Sequence, residues 1–142
     1  MDKWLTRWQE LKGKHPKALL YTISTLLPMT IMLVVWFFMG SYPFGNKSLM
    51  AVDFGQQYIS FFGLLKNAVL SGDLSSLTYS FTKSLGGDMI GVLGYYLMSP
   101  FNIFYIIIPF KHYGLAVFLT IWLRYGAIGL SFSYFLIKRY KG

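Results

Sequence analysis

Residues 18–46 read ALLYTISTLLPMTIMLVVWFFMGSYPFGN, 29 residues without a charged side chain. The first part of this stretch, residues 18–39, would rise about 33 Å as an α-helix, enough to cross a hydrocarbon core of about 30 Å. Pro28 removes a backbone donor from its middle, which a membrane helix tolerates when neighbouring groups satisfy the freed carbonyl. A signal peptide would show an apolar core of about 7–15 residues followed by a small-residue cleavage site. This run is longer and has no such site, so it reads as an uncleaved transmembrane helix. Upstream, residues 1–17 carry Lys3, Arg7, Lys12, Lys14 and Lys17 against Asp2 and Glu10, and the positive-inside bias keeps that flank cytoplasmic. Trp4, Leu5, Trp8 and Leu11 recur at helical spacing, which suits a short helix on the inner leaflet as well as it suits a solvated basic flank.

Composition extends the membrane reading to the whole chain. Of 142 residues 55% are hydrophobic and 20% aromatic, and 13% are charged, about half the share in an ordinary soluble domain. The net charge of +8 gathers mostly at the two ends instead of forming a stripe that could follow a phosphate backbone, so nucleic acid is excluded as a partner. The absence of cysteine excludes disulfides, thiolate metal sites and Cys nucleophiles. His15 and His112 lack metal-ligand spacing, and no nucleotide-binding or nucleophile-elbow motif is present.

Residues 40–112 form a polar and aromatic segment, expected outside the membrane. Gly40 to Asn46 breaks the first helix. Over 54–70, Phe54, Tyr58, Phe61, Phe62, Leu65 and Val69 share one helical face, with Gln56, Ser60, Gly63 and Asn67 opposite, until Ser71-Gly72-Asp73 stops the pattern. This predicts an amphipathic helix at the headgroup boundary. Residues 89–110 are uncharged and by hydropathy alone could span. A third crossing would leave Lys138, Arg139 and Lys141 outside, against the charge bias. With Gly91, Gly94, the Ser99-Pro100 break before Asn102, and Pro109, the segment reads as re-entrant or interfacial short helices joined at a bend. Residues 113–137 then form the second transmembrane helix, ending in the basic cluster at 138–142. The expected fold class is an all-α membrane protein in which two transmembrane helices flank an external loop with amphipathic and re-entrant helices.

Three segments occur in a specific order: Asp53-Phe54-Gly55-Gln56-Gln57-Tyr58-Ile59, then Leu85-Gly86-Gly87-Asp88, then Tyr95-Tyr96-Leu97-Met98-Ser99-Pro100-Phe101-Asn102. From about Ser24 to the C-terminus the chain resembles the N-terminal part of the YfhO family of bacterial multispanning membrane proteins. That resemblance implies a GT-C-type glycosyltransferase, which takes a sugar from a polyprenyl-phosphate donor and transfers it on the outer face of the cell membrane. The implied acceptor is a cell-wall polymer such as lipoteichoic acid, and the implied catalytic acid lies in the first external loop. Family members are several times longer, so the chain is expected to be a fragment, inactive alone. The alternative is a non-enzymatic assembly partner or small transport component.

By the resemblance Asp53 is the catalytic carboxylate, acting as a general base or as a ligand for a divalent cation, Mg2+ or Mn2+. Its spacing to Gln56 equally fits a helix N-cap with a capping-box partner. Gln56, Gln57 and Tyr58 are candidates to hydrogen-bond a sugar, though Tyr58 lies on the apolar stripe and also reads as packing. Lys83 is a candidate phosphate contact or a solvated lysine. Asp88 is a second acid in the substrate site or a cap for a helix opening at Met89. Arg124 sits mid-span, where a charge costs about 2.5–3.5 kcal/mol to insert. It could hold a lipid phosphate or a carboxylate, but a structural pairing with a helix outside this chain is the stronger reading.

The charge pattern generates a topology test. A cysteine placed after Lys111 should be labelled by an impermeant maleimide added outside the cell, and one placed after Gly142 should be protected; external labelling of the latter would defeat the two-span arrangement.

Overall fold

The computed structural model describes residues 16–81 and 86–140. Along the chain run α1 (Pro16–Met39), a π-wound turn (Phe54–Tyr58) leading into α2 (Ile59–Ser71), β1 (Tyr79–Ser80), β2 (Gly87–Asp88), α3 (Ile90–Val92) continued by a second π-wound turn (Leu93–Leu97), α4 (Ile103–Ile107) and α5 (Tyr113–Arg139). Single 3-10 turns lie at Ser75–Leu77, Pro100–Asn102 and Phe110–His112. Lys17–Met39 and Phe110–Arg139 are long and apolar enough to cross a membrane, with mean hydropathies of 2.0 and 1.6. Ile90–Leu97 and Pro100–Ile107 qualify only together, as a pair bent by 87°. The chain is thus an all-α membrane protein. The exception is a short antiparallel ladder, Tyr79 opposite Asp88 and Ser80 opposite Gly87. The bend follows from local chemistry, because Ser99 precedes a proline and is held extended at ψ 131°.

Two compact units are present: one holds the chain through Phe38 and from Trp122 onward, the other is Met39–Ile121. In the first, the hydroxyls of Thr22, Thr25 and Thr30 donate to carbonyls one helical turn back, at 3.0, 2.7 and 2.8 Å, so these three threonines satisfy their hydroxyls within α1 itself. Pro28 has no N–H for the Ser24 carbonyl. A Cβ added at Gly129 would overlap that Ser24 oxygen, so only glycine lets α5 approach α1 closely enough to set Cα–H groups against it. One turn away, the Gly126 position meets Met29 and Thr25, and Trp122 Nε1 donates to the Met29 carbonyl at 3.1 Å. Trp122, Gly126 and Gly129 recur at helical spacing and form one seam.

The second unit packs around α2. Phe62 stacks on Tyr105 of α4 with centroids 3.9 Å apart and planes 5° apart, and Tyr113 meets Tyr105 edge-on at 5.7 Å. The Tyr113 hydroxyl donates to the Tyr105 carbonyl at 3.1 Å. Proline at 109 cannot supply the helical donor to that same carbonyl. The buried positions of α2 are Phe62, Leu65, Lys66 and Ala68. Val69, expected on the apolar face, is 43% exposed. The five-residue α4 is too short to cover the last turn of α2, and Leu77 joins the same buried cluster as Ala68. The aromatic stripe expected at a headgroup boundary is largely met by the chain's own rings. Gly72, at φ 74°, ends α2 where the sequence stops its pattern.

The seam in the first unit generates a graded prediction. Gly129→Ala should lower the thermal midpoint of the complete protein in detergent by more than Gly126→Ala, because the first meets backbone and the second a flexible methionine. The Gly129 cost should exceed the ~1–3 kcal/mol of ordinary overpacking. An unchanged midpoint for Gly129→Ala would refute the close approach.

Candidate functional site

Asp53 opens the π-wound turn at φ −57° and ψ −32° and makes no capping hydrogen bond with its side chain. The N-cap reading therefore fails. The Gln56 N–H donates to the Val52 carbonyl at 3.1 Å and the Phe54 N–H to the Ala51 carbonyl at 3.2 Å, so winding has begun before Asp53. The residue before it, Val52, has φ 51°, a conformation rare for a β-branched side chain and typical of strained sites. Asp53, Gln56 and Gln57 are exposed, and Tyr58 is half-buried.

Tyr58 joins two of the three segments singled out in the sequence. It stacks on Phe54 at 5.3 Å and meets Tyr96 edge-on at 4.4 Å, while Tyr95 and Phe61 pack on Tyr96 at 4.5 and 5.6 Å. Both segments are π-wound, a geometry often found at functional sites. Desolvation raises the Tyr58 pKa first, followed by its contact with the Tyr96 hydroxyl and the neighbouring Tyr95 and Asp53. The phenol therefore keeps its proton at neutral pH and remains a donor beside the carboxylate.

Asn102 fixes the second turn. It is 2% exposed, and its Nδ2 donates to the Tyr96 and Leu97 carbonyls at 2.8 and 3.1 Å. Pro100 cannot bond the Tyr96 carbonyl, and the asparagine amide takes its place. Thr120 Oγ1 donates to the Phe101 carbonyl at 3.3 Å and ties the same bend to α5. The sequence reading treated Asn102 only as the mark of a bend; its buried amide is what holds the turn carrying Tyr95 and Tyr96.

Asp88 ends β2, and its Oδ1 accepts the Ile90 N–H at 3.0 Å across Met89, the N-cap position of α3, so its carboxylate holds the entry to that helix from one residue ahead of the cap, an engagement that Asp53 lacks. Lys83 lies outside the described residues. Among the described residues no three His, Asp or Glu side chains gather as a metal site. A family model described as bacterial membrane protein YfhO matches residues 24–142. The chain belongs to the YfhO family. No curated protein and no solved structure matches it. The YfhO match covers both π-wound turns, the ladder, the bent pair and α5.

Two cations of this YfhO chain stand within the body of helices, away from their ends. Arg124 is half-buried on α5 and engaged within the chain, so its partnering does not rest wholly on a helix from elsewhere. Lys66, which the sequence reading passed over, is 8% exposed; its Nζ donates to the Ile108 carbonyl at 2.6 Å and stands 5.1 and 5.8 Å from the Phe110 and Tyr113 ring centroids. A lysine inside an amphipathic pattern gives no local signal of burial, because its carbonyl partner is 42 residues away.

The Asn102 geometry predicts an order of stabilities. Asn102→Ala leaves the buried Leu97 and half-buried Tyr96 carbonyls without this donor, at about 1–3 kcal/mol, and Asn102→Asp should cost more by setting an acceptor against them. Chemical denaturation of the two variants in mild detergent checks the order, which a surface role for Asn102 would not produce.

Proposed function

We propose that the complete protein is a GT-C-type glycosyltransferase of the bacterial cell membrane, moving a sugar from a polyprenyl-phosphate donor to a cell-wall polymer such as lipoteichoic acid on the outer face. It is multi-pass, with both ends of this segment cytoplasmic. The observation that carries the reading is Asp53, an exposed carboxylate in the first turn after a strained residue, bearing no capping duty and close enough to Tyr58 to act on its hydroxyl. YfhO membership supplies the membrane setting.

In this reading the Asp53 carboxylate takes the proton from an acceptor hydroxyl as its oxygen attacks the anomeric carbon. The bond from that carbon to the donor phosphate breaks, and its electron pair leaves on the polyprenyl phosphate. Gln56 and Gln57 are placed to hydrogen-bond sugar hydroxyls, and Tyr58 to donate to an oxygen beside Asp53. Lys83 is kept as a phosphate contact. Asp88 acts by holding α3, and so the turn with Tyr95 and Tyr96, beside the substrate. Mg2+ or Mn2+ fits only as an ion drawing most of its shell from donor phosphate and water, with Asp53 as its protein carboxylate.

Because Asp53 makes no capping bond, alanine and asparagine are equally clean probes. Asp53→Ala and Asp53→Asn should each leave stability within about 0.5 kcal/mol of the parent and abolish sugar transfer, both measured in the same membranes with a polyprenyl-phosphate sugar and the cell-wall acceptor. Near-normal transfer by both variants would remove Asp53 as the base and favour the assembly-partner alternative.

A further inference from the structure

The polar side of α2 does not simply face solvent. Ser60, Gly63 and Asn67 line a cavity of about 780 Å3 whose other walls include Phe110, Ser76 and Met89. All of these belong to the Met39–Ile121 unit. Its lining among the described residues carries no charge, and it combines apolar walls with hydroxyl and amide groups. Ser60 and Asn67 make no hydrogen bond to other described residues, so their polar groups are available to whatever enters.

Phe110 is fixed before any ligand arrives. Its ring edge lies 3.3 Å from where a Cβ at Gly63 would stand, so a larger residue there would displace it. Lys66 stands over the same ring at 5.1 Å and, through the Ile108 carbonyl, holds the chain two residues ahead of it. The buried lysine thus positions an aromatic wall, and Phe110 as a residue remains 53% exposed.

We propose that this cavity binds an uncharged glycosyl unit of the substrate. A pyranose sets a C–H face on an aromatic ring and offers hydroxyls to neutral donors and acceptors, which is the pairing of Phe110 with Ser60, Asn67 and Ser76. Among the described residues a phosphate would find no cation in the lining. An acyl chain would strip water from Ser60 and Asn67 and return no hydrogen bond. Gln56 heads the same stripe in the sequence pattern. Ser60, the polar lining residue nearest Asp53 along the chain, is about 10 Å from it along the helix axis, further than one pyranose ring spans. The unit held here is therefore remote from the reacting carbon, an assignment that rests on the reading of Asp53 as the base, whereas the sugar chemistry of the cavity does not.

The test uses the complete protein in lipid nanodiscs, without donor, so that binding is read independently of transfer and of Asp53. Saturation-transfer NMR titrations with methyl glucoside and methyl galactoside should show saturable binding, while glycerol 3-phosphate should show none. Asn67→Leu and Gly63→Val should each weaken glycoside binding about tenfold, the effect of losing one hydrogen bond or the ring contact. Leu70→Ser, on the exposed last turn of α2, should leave binding unchanged. Should Gly63→Val fail to fold, Asn67→Leu carries the comparison alone. Absence of saturable glycoside binding, unchanged binding in Asn67→Leu, or displacement of the glycoside by a brominated fatty acid would each overturn the proposal.

Discussion

A backbone carbonyl that loses its helical donor in a poorly solvated place must find another, and this constraint organises both units. Pro28, Pro100 and Pro109 each deprive the carbonyl four residues earlier. Ser24 is met by the Gly129 backbone, Tyr96 by the Asn102 amide and Tyr105 by the Tyr113 hydroxyl. The carbonyls of Phe101, within the bend, and Ile108, just past α4, accept from Thr120 and Lys66. Most of these partners lie on another element, so each break in a helix doubles as a tether, and the chain can bend sharply without leaving polar backbone stranded.

Asp53 and Asp88 show how similar sequence contexts acquire different roles. Each stands just ahead of a helical pattern, and each is a plausible cap by spacing. Asp88 is the last residue of a ladder that holds its backbone extended, so its carboxylate can reach the Ile90 N–H. Asp53 stands behind Val52, whose left-handed conformation starts the winding early and hands the Gln56 N–H to a backbone carbonyl. The strain at one residue therefore leaves a carboxylate uncommitted at the next.

Features governed by contiguous chemistry were legible in the sequence. Uncharged length located both long helices, Gly72 stopped α2, and Ser99-Pro100 marked the bend. Phe62 and Leu65 were also placed inward correctly. The reading failed where a distant partner decides: Val69 lacks a covering element, Lys66 is drawn inward by a carbonyl and two rings, and Asn102 reaches back to carbonyls that only the folded bend presents. The π winding at Phe54–Tyr58 had no signature either, because its residues are compatible with an ordinary α-helix. The polar stripe of α2 was read correctly as polar, but only the return of the chain through Ser76 and Phe110 makes it a cavity wall.

The two π-wound turns bear on how the chain can change in length. A widened turn of this kind is how a helix absorbs one inserted residue while the segments on either side keep their places. Between Phe54 and Tyr58, or between Leu93 and Leu97, a relative could lack one residue, close the turn to ordinary α winding and still aim its acid and its tyrosines as this chain does. Within α2 no such slack exists, since a single deletion between Phe62 and Lys66 would swing one of them off the core by about 100°. Alignment gaps in related chains belong in the turns, and an alignment that opens them inside α2 has matched the wrong residues.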